Sequence, residues 1–185
     1  MFNERKAAQV AVWFLRRQRG RMAHLKLMKL MYLADREAMR RYGCPITGDQ
    51  VVAMPHGPVL SMTLNHVNGD LESGPDGWER WISDRRDHQV ALRRRAPGAN
   101  LLDELSASDL EVLGRTWRRF GRMTKWQIRD YTHRECPEWL DPRGSSQPIT
   151  YEAIFLALGH APADAARLAG RLQRQQDLDQ AFASI

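Results

Sequence analysis

The sequence predicts a mainly α protein with a small antiparallel β-sheet, an α+β chain folded as a single compact domain. Three observations carry this. Apolar residues recur at three- and four-residue steps through most of the chain. Helix caps and stops punctuate those runs at Gly20, Gly43, Thr124, Thr150 and Gly159. The β-branched stretches, by contrast, are short, as in Val51-Val52. With 185 residues there is room for one core rather than two.

The first helix is expected from Glu4 to about Arg17, with Ala7, Val10, Ala11, Phe14 and Leu15 on one face and Gly20 as its stop. The second runs from about Leu25 to Tyr42. In "LKLMKLMYLAD" only Lys26 and Lys29 are polar before Asp35, so this helix is apolar almost all round and belongs in the core. The two lysines share an edge and are expected to reach water by snorkelling. Gly43 and Pro45 end it.

The stretch "ITGDQVVAMPHGPV" follows. Thr47-Gly48-Asp49 is turn chemistry, Val51-Val52 a short strand, and Pro55 ends that strand. Pro58 is expected at the first position of a new helix, with Val59, Met62 and Val67 facing the core. Residues 68–79 read as a loop. "RWISD" and "HQVALRR" read as a hairpin pairing with Val51-Val52, with Ile82, Val90 and Leu92 inward. Ser108 and Glu111 fit a capping box, and Leu110, Leu113, Trp117 and Phe120 follow it at helical spacing. Thr124 caps "KWQIRDYTH", Thr150 caps "YEAIFLALG", and a last amphipathic helix spans about Ala163 to Ala181. One domain over 1–160 is expected, with 161–185 packed on it.

Composition narrows the class. Hydrophobic content is 43% and charged content 27%, ordinary for a globular protein. No stretch approaches the roughly 18 apolar residues of a membrane span, so no membrane partner is expected. "MFNERKAAQV" has no apolar signal-peptide core, and two cysteines make no disulfide framework. The expected location is the cytoplasm.

The net charge of +6 is uneven. Residues 1–45 hold 11 Lys and Arg against 3 Asp and Glu, residues 46–110 hold 6 against 10, and residues 111–185 hold 11 against 9. The basic first quarter points to an acidic partner, protein or nucleic acid. Solvated helix faces are the simpler reading.

Candidate chemistry is sparse. His56 lies in a Pro-His-Gly-Pro turn with no orienting partner, and Ser61 is not in a Gly-x-Ser-x-Gly elbow. His133 and Cys136, with Cys44 and His24, could be zinc ligands, but no Cys-x-x-Cys pair supports them. Small core cysteines explain them as well. Arg93-Arg94-Arg95 is one basic run. Arg115, Arg118, Arg119 and Arg122 share a helix face at three- and four-residue steps. That face suits an acidic protein or a nucleic acid, yet no helix-turn-helix is evident and acidic residues are interspersed. No phosphate-binding glycine loop and no HExxH pattern is present. The residues therefore predict no catalytic group, cofactor or metal.

Two blocks carry a family resemblance. "HLKLMKLMYLADREAMRRYGCPITGDQVVAMPHGPV" resembles the signature of the Panacea domain, the family of SocA-like antitoxins and phage-associated GepA-like proteins. "SASDLEVLGRTWRRFGRMTKWQIRDYTHRECPEW" resembles its second block, ending in Thr132-His133 and Pro137-Glu138-Trp139. The resemblance covers roughly residues 5–160. It implies an antitoxin that neutralises a cognate toxin by direct binding, in the SocA-type branch as an adaptor presenting the toxin to a ClpXP-type protease. It supplies no catalytic residue. The alternative is a nucleic-acid-binding regulator using the basic faces.

The partner surface is expected at the basic edge of the second helix, Lys26 and Lys29, and at the arginine face, Arg115, Arg118, Arg119 and Arg122. Asp49, Gln50 and His56 are expected as exposed contacts on the turns of a scaffold.

Overall fold

A computed structural model describes residues 1–93 and 96–183. Eight α-helices and two small antiparallel sheets are present among them, so the mainly α class is as the sequence predicts, while the strands divide between two sheets rather than one. Helix α2 (His24–Tyr42) is the centre. Leu27, Met28, Leu30, Met31 and Tyr32 along it are all but fully buried. Each such Leu side chain contributes about 1.5–3 kcal/mol of apolar burial. Helix α1 (Glu4–Arg17) packs against α2 and buries Val10, Phe14 and Leu15 in the core, and Asn3 caps it by accepting from the Lys6 N–H at 2.9 Å. Helices α5 (Ala107–Phe120) and α6 (Lys125–Glu135) cover another flank of α2.

Strand β2 (Val51–Met54) is the middle of a three-stranded sheet, flanked by β3 (Gly57–Leu60) and β5 (Gln147–Ile149). Val51 faces Leu60 on one side and Ile149 on the other. The second sheet pairs β1 (Arg21–Ala23) with β4 (Gln89–Ala91), bringing Met22 opposite Val90. Helix α7 (Tyr151–Ala157) is capped by Thr150. Helix α8 (Pro162–Ala183) packs on α7, with Ala165 buried and Leu168 and Leu172 against the core. Among the described residues no helix is long and apolar enough to cross a membrane.

Several elements differ from expectation. Pro58 lies in β3, and helix α3 (Ser61–Asn68) starts three residues later. Its first N–H groups are satisfied by the Asp49 carboxylate, which accepts from Met62 N–H at 2.9 Å and Thr63 N–H at 2.8 Å. Residues Trp78–Trp81 form one helical turn, α4, rather than a hairpin arm. Ile82 still pairs with Leu92, but β4 joins β1 and not β2. The capping box is Ser106 with Asp109, not Ser108 with Glu111. The earlier pair wins because its carboxylate also meets Lys6 at 2.9 Å, while Glu111 stays at the surface. Leu110 is exposed rather than packed. Of the run Arg93-Arg94-Arg95, the last two lie outside the described residues.

Candidate functional site

The residues of the two sequence blocks meet at one place. Lys29, wholly buried on α2, donates from Nζ to the Pro58 carbonyl at 2.6 Å. Burial pushes its ammonium pKa down to about 7. Gly57 has φ of +93°, and a Cβ there would lie 2.8 Å from Thr132 Oγ1 and 3.0 Å from Lys29 Nζ. His133 stacks on Trp139 with ring centroids 4.0 Å apart. Trp139 Nε1 donates to the Met54 carbonyl at 3.0 Å. Arg36 donates to Glu138 through Nε at 2.6 Å and Nη2 at 3.2 Å, and the Tyr32 hydroxyl donates to the same carboxylate. The β2–β3 turn is therefore fastened to α2, α6 and the segment after α6.

Beside this fastening lies a groove of about 410 Å³ between α2, α5 and α6. Arg36 and Arg40 enter it from α2, and Arg115, Arg118 and Arg119 from α5. Glu37 is the carboxylate among its lining residues. Arg40 is held by Glu37 through bonds of 2.7 and 2.8 Å. Arg115 and Arg41 both engage Glu111 at 3.1 Å. Arg118, Arg119 and Arg122 have no carboxylate partner among the described residues. Arg119 is instead fixed by α6: its Nη2 donates to the Tyr131 hydroxyl at 2.9 Å. Its guanidinium lies 5.0 Å from the Phe120 ring centre and 5.3 Å from that of Tyr131.

The sequence-predicted residues divide. Arg115, Arg118 and Arg119 come together in the groove, whereas Arg122 does not share their helix face: α5 ends at Phe120, and Arg122 is exposed in the turn beyond Gly121, outside the groove lining. Lys29 does not reach water, and Lys26 is only 8% exposed. Lys26 donates to the Gly121 carbonyl at 2.7 Å and to Gln18 Oε1 at 3.2 Å. The expected basic edge of α2 is absent because buried carbonyls capture both ammonium groups. Asp49 is not an exposed contact either; it is 0% exposed as the cap of α3. Gln50 and His56 are at the surface. His56 sits 6.5 Å from the ring of Trp126, which is 48% exposed.

The proposed zinc ligands are dispersed in character: Cys136 is buried, Cys44 is exposed, and His24 stacks on His88. Among the described residues no three His, Cys, Asp or Glu side chains gather to hold a metal. Sequence reasoning missed Arg36, Arg40 and Tyr131. The four-residue step from Arg36 to Arg40 was the available signal.

The fold and the site define a mainly helical domain with a cationic groove set beside a buried polar cluster. The chain is a member of the family described as Antitoxin SocA-like, Panacea domain, whose family model matches residues 27–140, more than half of its length. Searches of the curated proteins and of the solved structures give no significant match.

Proposed function

We propose that this protein is the antitoxin of a toxin–antitoxin pair and neutralises its cognate toxin by direct contact, without a catalytic step, in the cytoplasm. Membership of the antitoxin family supports a toxin partner. The observation that carries the docking site is the pair Arg118 and Arg119, which the fold leaves without carboxylates in a groove lined by three further arginines. Unpaired arginines at the rim of a groove steer an oppositely charged partner and supply bidentate donors on contact.

In the finer form of this reading, the bound toxin is handed to a ClpXP-type protease. The experiment is co-expression with the neighbouring gene. Growth is followed with and without this protein, and the neighbour's half-life is measured. Relief of toxicity with a stable complex supports blocking. Relief with a protease-dependent shortening of the half-life supports delivery. A neighbour that is harmless alone removes the antitoxin reading.

The arginine face also suits nucleic acid, which is the second reading. Glu37 and Glu111 stand among those arginines and weigh against a phosphate backbone there. A steep fall of DNA affinity with rising salt would favour the nucleic-acid reading.

A further inference from the structure

We infer that the groove between α2, α5 and α6 reads carboxylates on an acidic peptide segment of the partner, with Arg119 as the reading residue and Tyr131 as its positioning residue. This deepens the antitoxin reading and rests on it for the partner's identity.

Arg119 differs from its neighbours. Arg36 is consumed by Glu138, Arg40 by Glu37 and Arg115 by Glu111. The Arg119 guanidinium has no carboxylate, yet it is held: the Tyr131 hydroxyl accepts one N–H at 2.9 Å, and the Phe120 and Tyr131 rings lie beside it, themselves 4.7 Å apart. One planar fork is thus oriented while its other donors remain open. A planar fork fixed on aromatic rings loses little freedom on meeting a carboxylate, and carboxylate is the shape it matches in two parallel hydrogen bonds. Arg118, one residue earlier, supplies a second unpaired cation in the same groove.

The occupant follows from the size and the sign of the groove. About 410 Å³ admits a few side chains, not a nucleic-acid duplex. Glu37 lies within the lining and would oppose a continuous phosphate chain. A peptide offers separated carboxylates and can place a neutral residue beside Glu37. It also brings apolar atoms to the Leu33 and Phe120 side of the groove.

The test uses the full-length protein and three labelled probes: a glutamate peptide in which glutamates alternate with alanines, the matching glutamine peptide, and a single-stranded DNA of equal charge. The glutamate peptide is expected to bind and the glutamine peptide not. Arg119→Gln should weaken the glutamate peptide about tenfold, the loss of one well-made charged contact. Tyr131→Phe keeps the ring and removes only the hydroxyl, so it should weaken binding by a smaller factor; Arg119→Lys should not restore it. Melting temperatures of the exposed Arg119 variants should match the wild type, and that of Tyr131→Phe, which keeps the half-buried ring, should stay close to it. Equal peptide affinity in Arg119→Gln overturns the inference. So does tighter binding of the DNA, if that binding is the one lost in Arg119→Gln. Co-expression separates the two claims. If wild type rescues growth and Arg119→Gln rescues equally, the groove assignment fails and the antitoxin reading stands. If wild type does not rescue, the antitoxin reading fails whatever the probes show.

Discussion

Lys29 and Pro58 are joined by a 2.6 Å hydrogen bond from a fully buried ammonium to a backbone carbonyl. The bond ties the N-terminal third of α2 to the strand that follows the β2–β3 turn. It satisfies one of the three ammonium donors, and burial lowers the pKa to about 7.

That pKa makes stability depend on pH with a definite sign. A lysine titrates near 10.4 when unfolded, so the native state binds fewer protons between that value and about 7. Its contribution is present above the unfolded pKa and is lost as pH falls through the folded one. Wild type should therefore gain stability relative to Lys29→Met as pH rises from about 7 to about 10. Thermal melts of both proteins across that range check it, and parallel curves would refute it.

Asp35 gives the opposite slope. It is buried and accepts from the Ile46 N–H at 3.0 Å and the Thr47 N–H at 3.2 Å, but burial outweighs these bonds and raises its pKa to about 7. An acid with a raised pKa stabilises the fold fully below its unfolded value, and that stabilisation disappears as pH climbs through about 7. Wild type should thus be favoured over Asp35→Asn more at pH ~5 than at pH ~8. Denaturant midpoints at the two values decide, and a gap that stays constant or widens toward the higher pH counts against the assignment.

Gly57→Ala should destabilise by about 1–3 kcal/mol, because φ of +93° strains an alanine and its Cβ would stand 2.8 Å from Thr132 Oγ1. Urea unfolding measures this. A neutral result would mean that α6 moves away from the turn without loss.

Glu138→Ala should be the costlier change. It would leave Arg36 and the Tyr32 hydroxyl facing a buried gap, and breaking such a pair from one side costs about 3–5 kcal/mol. Glu138→Gln keeps an acceptor and should lose less. If both variants unfold at the wild-type denaturant concentration, the ion pair does not hold the segment after α6 in place.

Reversing Arg115, Arg118 and Arg119 to Glu should slow association with the toxin and leave the melting temperature nearly unchanged, since all three side chains are exposed. Stopped-flow or surface-capture kinetics at two salt concentrations test it. Unchanged association rates would move the docking face elsewhere.

The helical frame was legible in the sequence because its signals are local. The spacing of Val10, Phe14 and Leu15, the apolar run around Leu30, and the caps at Thr124 and Thr150 each act within a turn or two. Strands β1 and β5 were not legible, because three residues carry no period and pairing is supplied by distant partners. The roles of Lys29 and Asp49 were hidden for a related reason. A polar residue in a buried helix or turn looks exposed until its acceptor or donor is known, and Pro58 and Thr63 lie 29 and 14 residues away. The arginine face on α5 was visible in its spacing, but the groove was not. Arg36 and Arg40 join it only through the packing of α2 on α5 and α6.

The fastening of the β2–β3 turn also sets when the protein becomes usable during synthesis. Trp139 reaches back 85 residues to Met54, and Glu138 reaches back 102 residues to Arg36. A ribosome that has made α1 to α5 has made all five arginines of the groove but neither Tyr131 nor these two clasps. The emerging chain thus holds an unclosed turn and an incomplete groove until the segment after α6 leaves the exit tunnel. Closure of long loops comes late and carries the entropy cost of all the intervening residues. A groove built this way takes its shape only once the segment after α6 has emerged, so termination ahead of that segment releases fragments that carry the cations without the geometry.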